Sequence, residues 1–218
     1  MGRWNPFLAL LAALCSACFT GEISVSAAEP VRIVAFGDSL TAGFGLPASQ
    51  AFPSKLSIAL KAKGYDVIIV NAGASGDTTA AGLARLDWSV PKETQAVILE
   101  FGANDAFRGV SPAIAKKNLD EIISRLKVRN VEILIAGMLA PPNLGNEYAA
   151  AFNPIFTDLA KKHGALVVPF FLDEVAGNRN LNQTDGIHPT AEGIDIIVKK
   201  ILPSVEALIQ RVQARKAS

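Results

Sequence analysis

Two patterns of apolar and polar residues alternate along the chain. Five short runs are apolar almost throughout, and the segments between them carry apolar residues at helical spacing. The first pattern is typical of parallel strands buried on both faces, and the second of amphipathic helices. The predicted strands are 31–36, 66–71, 96–101, 131–137 and 165–168. The predicted helices are 52–63, 78–86, 111–128, 146–163 and 190–212.

Local signals refine the helix ends. Ser111 suits an N-cap position and Pro112 suits the first helical position. We expect Pro154 to kink the helix at 146–163, and Pro203 to break the last helix. The order of elements predicts an α/β domain: a three-layer, flavodoxin-like α/β/α sandwich with five parallel strands in the order 2-1-3-4-5.

The first 28 residues differ from the rest of the chain. Arg3 gives a positive start, an apolar stretch follows at 7–14, and Ser26-Ala27-Ala28 offers small residues to a signal peptidase. This pattern predicts a secretory signal peptide over 1–28 and a folded domain over 29–218. We therefore expect the protein in the periplasm or outside the cell.

Two other interpretations of this N-terminal segment fit less well. A membrane anchor needs roughly 20 apolar residues, more than the stretch provides. A lipid-attachment site needs a Leu-small-small run before its cysteine, and neither Cys15 nor Cys18 has one. Because both cysteines lie in the segment to be removed, the mature chain would have no disulfide and no thiol nucleophile. We also expect no stable membrane span in the mature chain, since the short apolar stretch lies in the same segment.

Composition excludes some classes of protein. Half of the residues are hydrophobic, the formal net charge is +1, and no block of like charges occurs. A nucleic-acid partner is not expected, since it usually requires a clustered basic face. The length of 218 residues suits one domain with a full core, and oligomeric state is not indicated.

Polar segments containing glycine follow four of the five predicted strands. The carboxyl ends of parallel strands lie at one edge of a sheet, where ligands bind in such folds. The sequence therefore predicts that the four segments converge on one site. They are Gly37-Asp38-Ser39-Leu40, Gly73-Ala74-Ser75-Gly76-Asp77, Gly102-Ala103-Asn104-Asp105 and Asp185-Gly186-Ile187-His188-Pro189.

A serine nucleophile needs a base, and the chain has two histidines. His163 is predicted at a helix C-terminus, where a cation suits the helix dipole, so we interpret it as structural. His188 follows Asp185 by three residues, a spacing that lets the carboxylate orient the ring while the other nitrogen faces Ser39. Taken alone, Asp185 and His188 are better explained as a helix cap and a surface residue. The polar segments that follow the other strands favour a triad instead.

The remaining loops suit the binding of an oxyanion. The amide of Asn104 and the backbone N–H groups of Ser39 and Gly76 are candidate donors. Each glycine taken singly is also explained by an ordinary strand-to-helix turn. Asp38 and Asp77 are interpreted as acceptors that shape their loops.

These residues resemble a known family. Residues 37–40 match the motif that names the GDSL hydrolases. Ser39, Gly76, Asn104 and His188 match, in order, the four residue types that define the SGNH superfamily. The resemblance covers nearly the whole chain after residue 28 and is closest to small bacterial periplasmic enzymes described as arylesterase, lysophospholipase and acyl-CoA thioesterase. Ala103 is a departure, since close relatives often have a second glycine there.

The resemblance implies roles for the residues as well as a reaction. Ser39 would be the nucleophile, His188 the base and Asp185 the residue that orients it. The oxyanion hole would consist of Ser39, Gly76 and Asn104. The implied substrates are small esters, thioesters or lysophospholipids, and no metal or other cofactor is expected.

Loop residues after the third and fourth strands suggest a substrate groove. Lining an acyl-chain groove and packing beneath the loops explain the apolar ones equally well. Arg108 is a candidate for contact with a polar head group, although a solvated surface arginine explains it better. The apolar candidates are Phe107, Val110, Leu139, Pro141, Pro142 and Leu144.

Three other functions fit the sequence less well than an esterase. A carbohydrate O-deacetylase uses the same triad but needs an open polar groove. A non-catalytic binding protein would leave the combination of Ser39, Asn104, Asp185 and His188 unexplained. A nucleotide-binding module would have to use Gly43-Phe44-Gly45, but no Gly-Lys-Ser/Thr occurs. The chain also lacks Gly-x-Ser-x-Gly, the nucleophile motif of α/β-hydrolases.

Overall fold

The computed structural model describes residues 1–2 and 29–216 of the chain. The predicted signal peptide spans residues 1–28, and its residues 3–28, with Cys15 and Cys18, lie outside the described residues. The signal peptide and its cleavage after Ala28 therefore stay predictions.

Five parallel strands form one sheet in the order β2-β1-β3-β4-β5, which confirms the predicted fold and topology. In register, Gly37 at the end of β1 lies beside Gly73 of β2 and Glu100 of β3. The carboxyl ends of the three strands therefore meet at one edge. The strands are β1 Val31–Gly37, β2 Val67–Gly73, β3 Ala96–Glu100, β4 Glu132–Ala136 and β5 Leu166–Val168.

Helices cover both faces of this sheet. One layer pairs α2 with α8, and the other packs α3, α5 and α7 side by side. The central strands β1 and β3 are buried on both faces, which is why their sequences are apolar almost throughout. The helices are α1 Ser39–Ala42, α2 Phe52–Ala62, α3 Thr79–Ser89, α4 Ala103–Phe107, α5 Pro112–Val128, α6 Gly145–Phe152, α7 Ile155–His163 and α8 Ala191–Lys216.

Two proline effects differ from the prediction. The helix expected at 146–163 is two helices, α6 and α7, separated at Asn153 and Pro154. Pro203 was predicted to break the last helix, but α8 continues through it to Lys216. The apolar face of α8 stays buried on both sides of Pro203, at Ile201 and Val205, and this packing outweighs the backbone hydrogen bond that proline cannot donate.

Four short elements escaped prediction because they are too brief to show a period. They are α1, α4 and the 3₁₀ turns at Ala48–Gln50 and Pro142–Leu144. Ser111 occupies the N-cap position of α5 as predicted, although its side chain makes no capping hydrogen bond, and Pro112 begins the helix. Among the described residues, no helix has the length and apolar character needed to cross a bilayer.

Candidate active site

Ser39 lies at the first residue of α1, directly after the central strand β1. The preceding Asp38 is buried, and its Oδ1 accepts a hydrogen bond from Leu40 N at 3.0 Å. Gly37 leaves no space for a side chain, since a Cβ there would lie 2.2 Å from Thr41 Oγ1. The turn that presents Ser39 is therefore fixed by close packing and by a carboxylate cap.

Ser39, His188 and Asp185 form a continuous hydrogen-bonded chain. His188 Nε2 lies 2.9 Å from Ser39 Oγ, and His188 Nδ1 lies 2.7 Å from Asp185 Oδ2. The other oxygen of Asp185 accepts from the backbone N–H groups of Ile187 and His188. The carboxylate is thus held from both sides, and the imidazole is oriented with one nitrogen towards the hydroxyl.

The second histidine is remote from this chain. His163 ends α7, and its Nε2 lies 2.6 Å from Asp120 Oδ1 of α5. No serine hydroxyl contacts its ring among the described residues. This position agrees with the structural interpretation of His163.

Asn104 and Gly76 reach the same edge from β3 and β2. Asn104 Nδ2 donates to Asp38 Oδ2 at 3.0 Å and to Asp77 O at 2.9 Å, so both of its amide hydrogens are engaged. Gly76 has a φ of +85°, and its carbonyl accepts from Arg108 Nη2 at 2.7 Å. The backbone N–H groups of Ser39 and Gly76 find no acceptor in the described part of the chain.

A largely apolar cavity of about 600 Å³ opens beside Ser39. Its polar wall contains the candidate residues Ser39, Gly76, Asn104 and His188. The apolar walls come from six separate loops and helix ends. Their larger side chains are Leu40, Phe44, Phe107, Met138, Leu139, Pro141, Pro142, Phe170, Leu172 and Ile187.

Comparison with known proteins identifies the family of the chain. Residues 35–196 match the GDSL-like lipase/acylhydrolase family. The chain belongs to this family. Esterase TesA of Pseudomonas aeruginosa PAO1 is 35% identical over 199 residues, which span 91% of this chain and 99% of that protein.

Two other proteins are similar to this chain over nearly their whole length. The thioesterase 1/protease 1/lysophospholipase L1 of Escherichia coli K12 is 34% identical over 210 residues, 95% of this chain and 94% of its own. The crystal structure of AlinE4, described as an SGNH-hydrolase family esterase, superposes with a TM-score of 0.71 at 45% identity. That superposition covers 84% of this chain and 98% of AlinE4.

The predicted groove residues divide into two groups in this GDSL protein. Phe107, Leu139, Pro141 and Pro142 line the cavity. The other three lie outside that lining. Leu144 packs against the core, Val110 accepts at its carbonyl from Tyr148 Oη, and Arg108 binds the Gly76 carbonyl.

Burial and hydrogen bonding separate the acidic groups of the site. The backbone N–H of His188, followed by the His188 side chain and the N–H of Ile187, lowers the pKa of Asp185 to about 2. Burial raises the pKa of Asp38 to about 6. Burial and then the negative charge of Asp38 raise the pKa of Glu100 well above its ordinary value. Asp185 is therefore the acid of the site that stays ionised at every pH of interest.

A buried arginine ties the loops of the site together. Arg85 of α3 pairs with Asp77 at 2.5 Å through Nε and donates from Nη2 to Gly37 O at 2.8 Å. Its Nη1 donates to Ala72 O at 2.9 Å, and its guanidinium lies 4.5 Å from the ring centroid of Phe36. The carboxylate of Asp77 therefore accepts from the Arg85 side chain and, among the described residues, from no backbone N–H, so the loop-shaping role predicted for it was wrong.

The sequence did not single out Phe44, Arg85 and Glu100 as parts of this region. Arg85 lies within the predicted helix 78–86, and an arginine on an otherwise apolar helix face is a signal of a buried ion pair. Glu100 ends an apolar strand, where a carboxylate is unusual. Phe44 carried no local signal.

Among the described residues, no group of three His, Cys, Asp or Glu side chains is arranged to hold a metal ion.

Proposed function

We propose that the protein hydrolyses carboxylic esters or thioesters of apolar acyl groups through an acyl-enzyme on Ser39. Membership of the GDSL family and the named activities of its relatives make it a hydrolase of the esterase and thioesterase class. One observation supports the assignment of Ser39, His188 and Asp185 as the catalytic residues. The hydroxyl of Ser39 lies 2.9 Å from an imidazole that Asp185 holds from the other side, beside an apolar cavity.

The proposed reaction begins with proton transfer from Ser39 Oγ to His188 Nε2 as Oγ attacks the carbonyl carbon. Asp185 holds Nδ1–H and stabilises the imidazolium. The imidazolium then gives its proton to the leaving alcohol or thiol, and an acyl group remains on Ser39. A water molecule, activated by the same imidazole, hydrolyses the acyl-enzyme and restores Ser39.

Charge that develops on the carbonyl oxygen would be bound by the N–H groups of Ser39 and Gly76 and by Asn104 Nδ2. Both backbone groups border the cavity and have no acceptor in the described part of the chain. Because both hydrogens of Asn104 are engaged, it must release or share one of them to bind the oxyanion. We expect it to share the hydrogen that it gives to Asp77 O.

The walls of the cavity indicate the acyl side of the substrate. Phe44, Phe107 and Leu139 are exposed at the cavity, where an acyl chain would remove their apolar surface from water. We therefore propose a small ester, a thioester or a lysophospholipid as the substrate. The name of the E. coli relative joins thioesterase and lysophospholipase, and this supports the proposal of more than one class of substrate for this chain. The apolar walls disfavour the carbohydrate O-deacetylase.

We also propose that residues 1–28 direct the protein out of the cytoplasm and that 29–218 form the hydrolase domain. The support is the short apolar stretch with a positive start and an Ala-rich end. Expression of the full chain in a bacterium, followed by fractionation and N-terminal sequencing, tests this. A mature N-terminus at Glu29 in the periplasm or medium is expected, whereas an intact cytoplasmic chain would contradict it.

The substrate class is tested with p-nitrophenyl esters of graded acyl length, palmitoyl-CoA and a lysophospholipid, with Ser39→Ala as the inactive control. We expect kcat/KM to peak at medium or long acyl chains. Turnover of acetyl esters alone would point instead to a deacetylase. No turnover of any of these compounds would favour a binding protein built on a hydrolase fold.

A further inference from the structure

Glu100 is a fully buried carboxyl directly beneath the Ser39 turn. It ends β3 in register with Gly37, and none of its surface is exposed. Its Oε2 accepts from Asp38 N at 3.3 Å and from Thr41 Oγ1 at 2.9 Å. Its Oε1 has no hydrogen-bond donor among the described residues, and no arginine, lysine or histidine there forms an ion pair with it. The negative charge of an ionised carboxylate in this place would have no opposite charge beside it to offset the cost of burial.

Asp38 is equally buried and lies against Glu100. Asp38 Oδ1 accepts from Leu40 N, and Oδ2 accepts from Asn104 Nδ2. Its side chain is also within hydrogen-bonding contact of the Glu100 carboxyl. Two carboxyl groups this close in an apolar interior cannot both be ionised, so the pair holds a proton.

The hydrogen-bond partners decide which of the two carries that proton. Both oxygens of Asp38 accept from N–H donors, which stabilises its ionised form. One oxygen of Glu100 accepts no hydrogen bond, and burial followed by the negative charge of Asp38 raises the pKa of Glu100 well above its ordinary value. The proton therefore belongs on Glu100, which then donates to Asp38.

We propose that Glu100, as a neutral carboxylic acid, is a positioning residue for the oxyanion hole: it donates a hydrogen bond to Asp38, and Asp38 in turn holds the amide of Asn104. The proposal rests on the proposed function, because it assigns Asn104 to the oxyanion. Glu100 itself is absent from the cavity walls and touches no substrate. It acts only through Asp38.

The other charged groups near this pair are satisfied elsewhere. Arg85 is paired with Asp77, and its Nη2 reaches the backbone of Gly37, not the Glu100 carboxyl. Asp105 accepts from Thr79 N and Oγ1. His188 acts on Asp38 only through its charge, across the site. A change confined to the proton of Glu100 therefore leaves these contacts in place.

Kinetics of Glu100→Gln, Glu100→Leu and Asp38→Asn test the positioning role. Gln keeps a donor for Asp38 and an acceptor for Thr41, so E100Q should retain about a third or more of kcat. E100L lacks the donor, and D38N cannot accept from both Leu40 N and Asn104 Nδ2. Each should lose roughly tenfold or more in kcat with KM changed about twofold at most, the pattern of lost transition-state binding. Equal losses in E100Q and D38N would overturn the proposal, as would an E100L that matches E100Q.

A second measurement needs no substrate and separates this proposal from the proposed function. If native Glu100 keeps a proton that the unfolded chain releases above a pH of about 4.3, wild-type stability falls with rising pH relative to E100Q. The difference between their urea midpoints should grow steadily between about pH 5 and 8. A carboxylic-acid carbonyl band should appear in the infrared spectrum of the wild type and be missing from E100Q. A pH-independent midpoint difference, or identical spectra, would show that Glu100 carries no such proton.

Discussion

The ring of Phe44 lies against the imidazole of His188, with ring centroids 4.4 Å apart and planes inclined by 34°. The two residues lie 144 positions apart and belong to different loops. Gln183 joins those loops: its Nε2 donates to Phe44 O at 2.7 Å, and its N donates to His188 O at 2.7 Å. Phe44 therefore both walls the cavity and restrains the ring that serves as the candidate base.

Phe44→Leu should remove this restraint while preserving an apolar wall. An aromatic pair contributes about 0.5–1.5 kcal/mol, so we expect kcat on a short acetyl ester to fall roughly two- to tenfold. The acetyl group is too short to report on acyl-chain binding. Trp88→Leu, which removes an exposed aromatic ring from α3, is the matched control. An unchanged kcat in F44L would mean that the stacking does not orient His188.

The pKa of Asp185 excludes this residue as the source of an acid limb in the pH profile. Its pKa of about 2 keeps it ionised throughout the working range, so loss of activity on acidification must come from another group. Protonated His188 cannot take the proton of Ser39, and activity should therefore rise with pH from acid to neutral. A rate that is independent of pH over this range would argue against His188 as the base.

Asp185→Asn should lower kcat by roughly 10³-fold or more at every pH. Asn can keep an oxygen for the N–H groups of Ile187 and His188, but its amide cannot accept from Nδ1–H or stabilise an imidazolium. Asp120→Asn provides the control, because Asp120 also contacts a histidine ring, that of His163 at 2.6 Å, away from Ser39. Comparable losses in both variants would indicate a general effect on folding.

Arg85→Met tests whether the buried arginine holds the site together. It leaves Asp77 unpaired and removes the donors to Gly37 O and Ala72 O. Removing one partner of a buried ion pair should lower the free energy of unfolding by about 3 kcal/mol, measured by urea denaturation. Arg125→Met, which breaks an exposed pair with Asp87, should cost less than about 1 kcal/mol. An equal loss of unfolding free energy in the two variants would show that the buried ion pair of Arg85 stabilises the fold no more than an exposed one.

Asn104→Ala should reduce kcat by roughly 10²–10³-fold, as expected for loss of one oxyanion donor. Steady-state kinetics on a p-nitrophenyl ester measures this, and Asn143→Ala, at an exposed position of the 3₁₀ turn Pro142–Leu144, is the control. A change confined to KM would mean that Asn104 binds substrate without stabilising the transition state.

The fold was predictable because its signal is periodic and local. The buried strands read directly as apolar runs, and their parallel arrangement followed from the helices between them. The convergence of Ser39, Asn104 and His188 was predictable because strand ends share an edge. The stacking of Phe44 on His188 and the contact of Glu100 with Asp38 depend on how side chains from separate loops are placed. Such contacts leave no periodic pattern in a single sequence, so they could not be predicted. Pro203 was misjudged because burial of α8 overrides a local preference.

The most direct test of the account is covalent labelling of the mature protein with an alkyl phosphonate p-nitrophenyl ester, mapped by peptide mass spectrometry. Ser39 and Ser75 both line the cavity, but of these two serines only Ser39 has its hydroxyl within hydrogen-bond distance of the His188 ring. We expect stoichiometric modification of Ser39, its loss in Ser39→Ala, and its persistence with full ester hydrolysis in Ser75→Ala. Labelling of Ser75, or hydrolysis that survives Ser39→Ala, would contradict the assignment of Ser39 as the nucleophile.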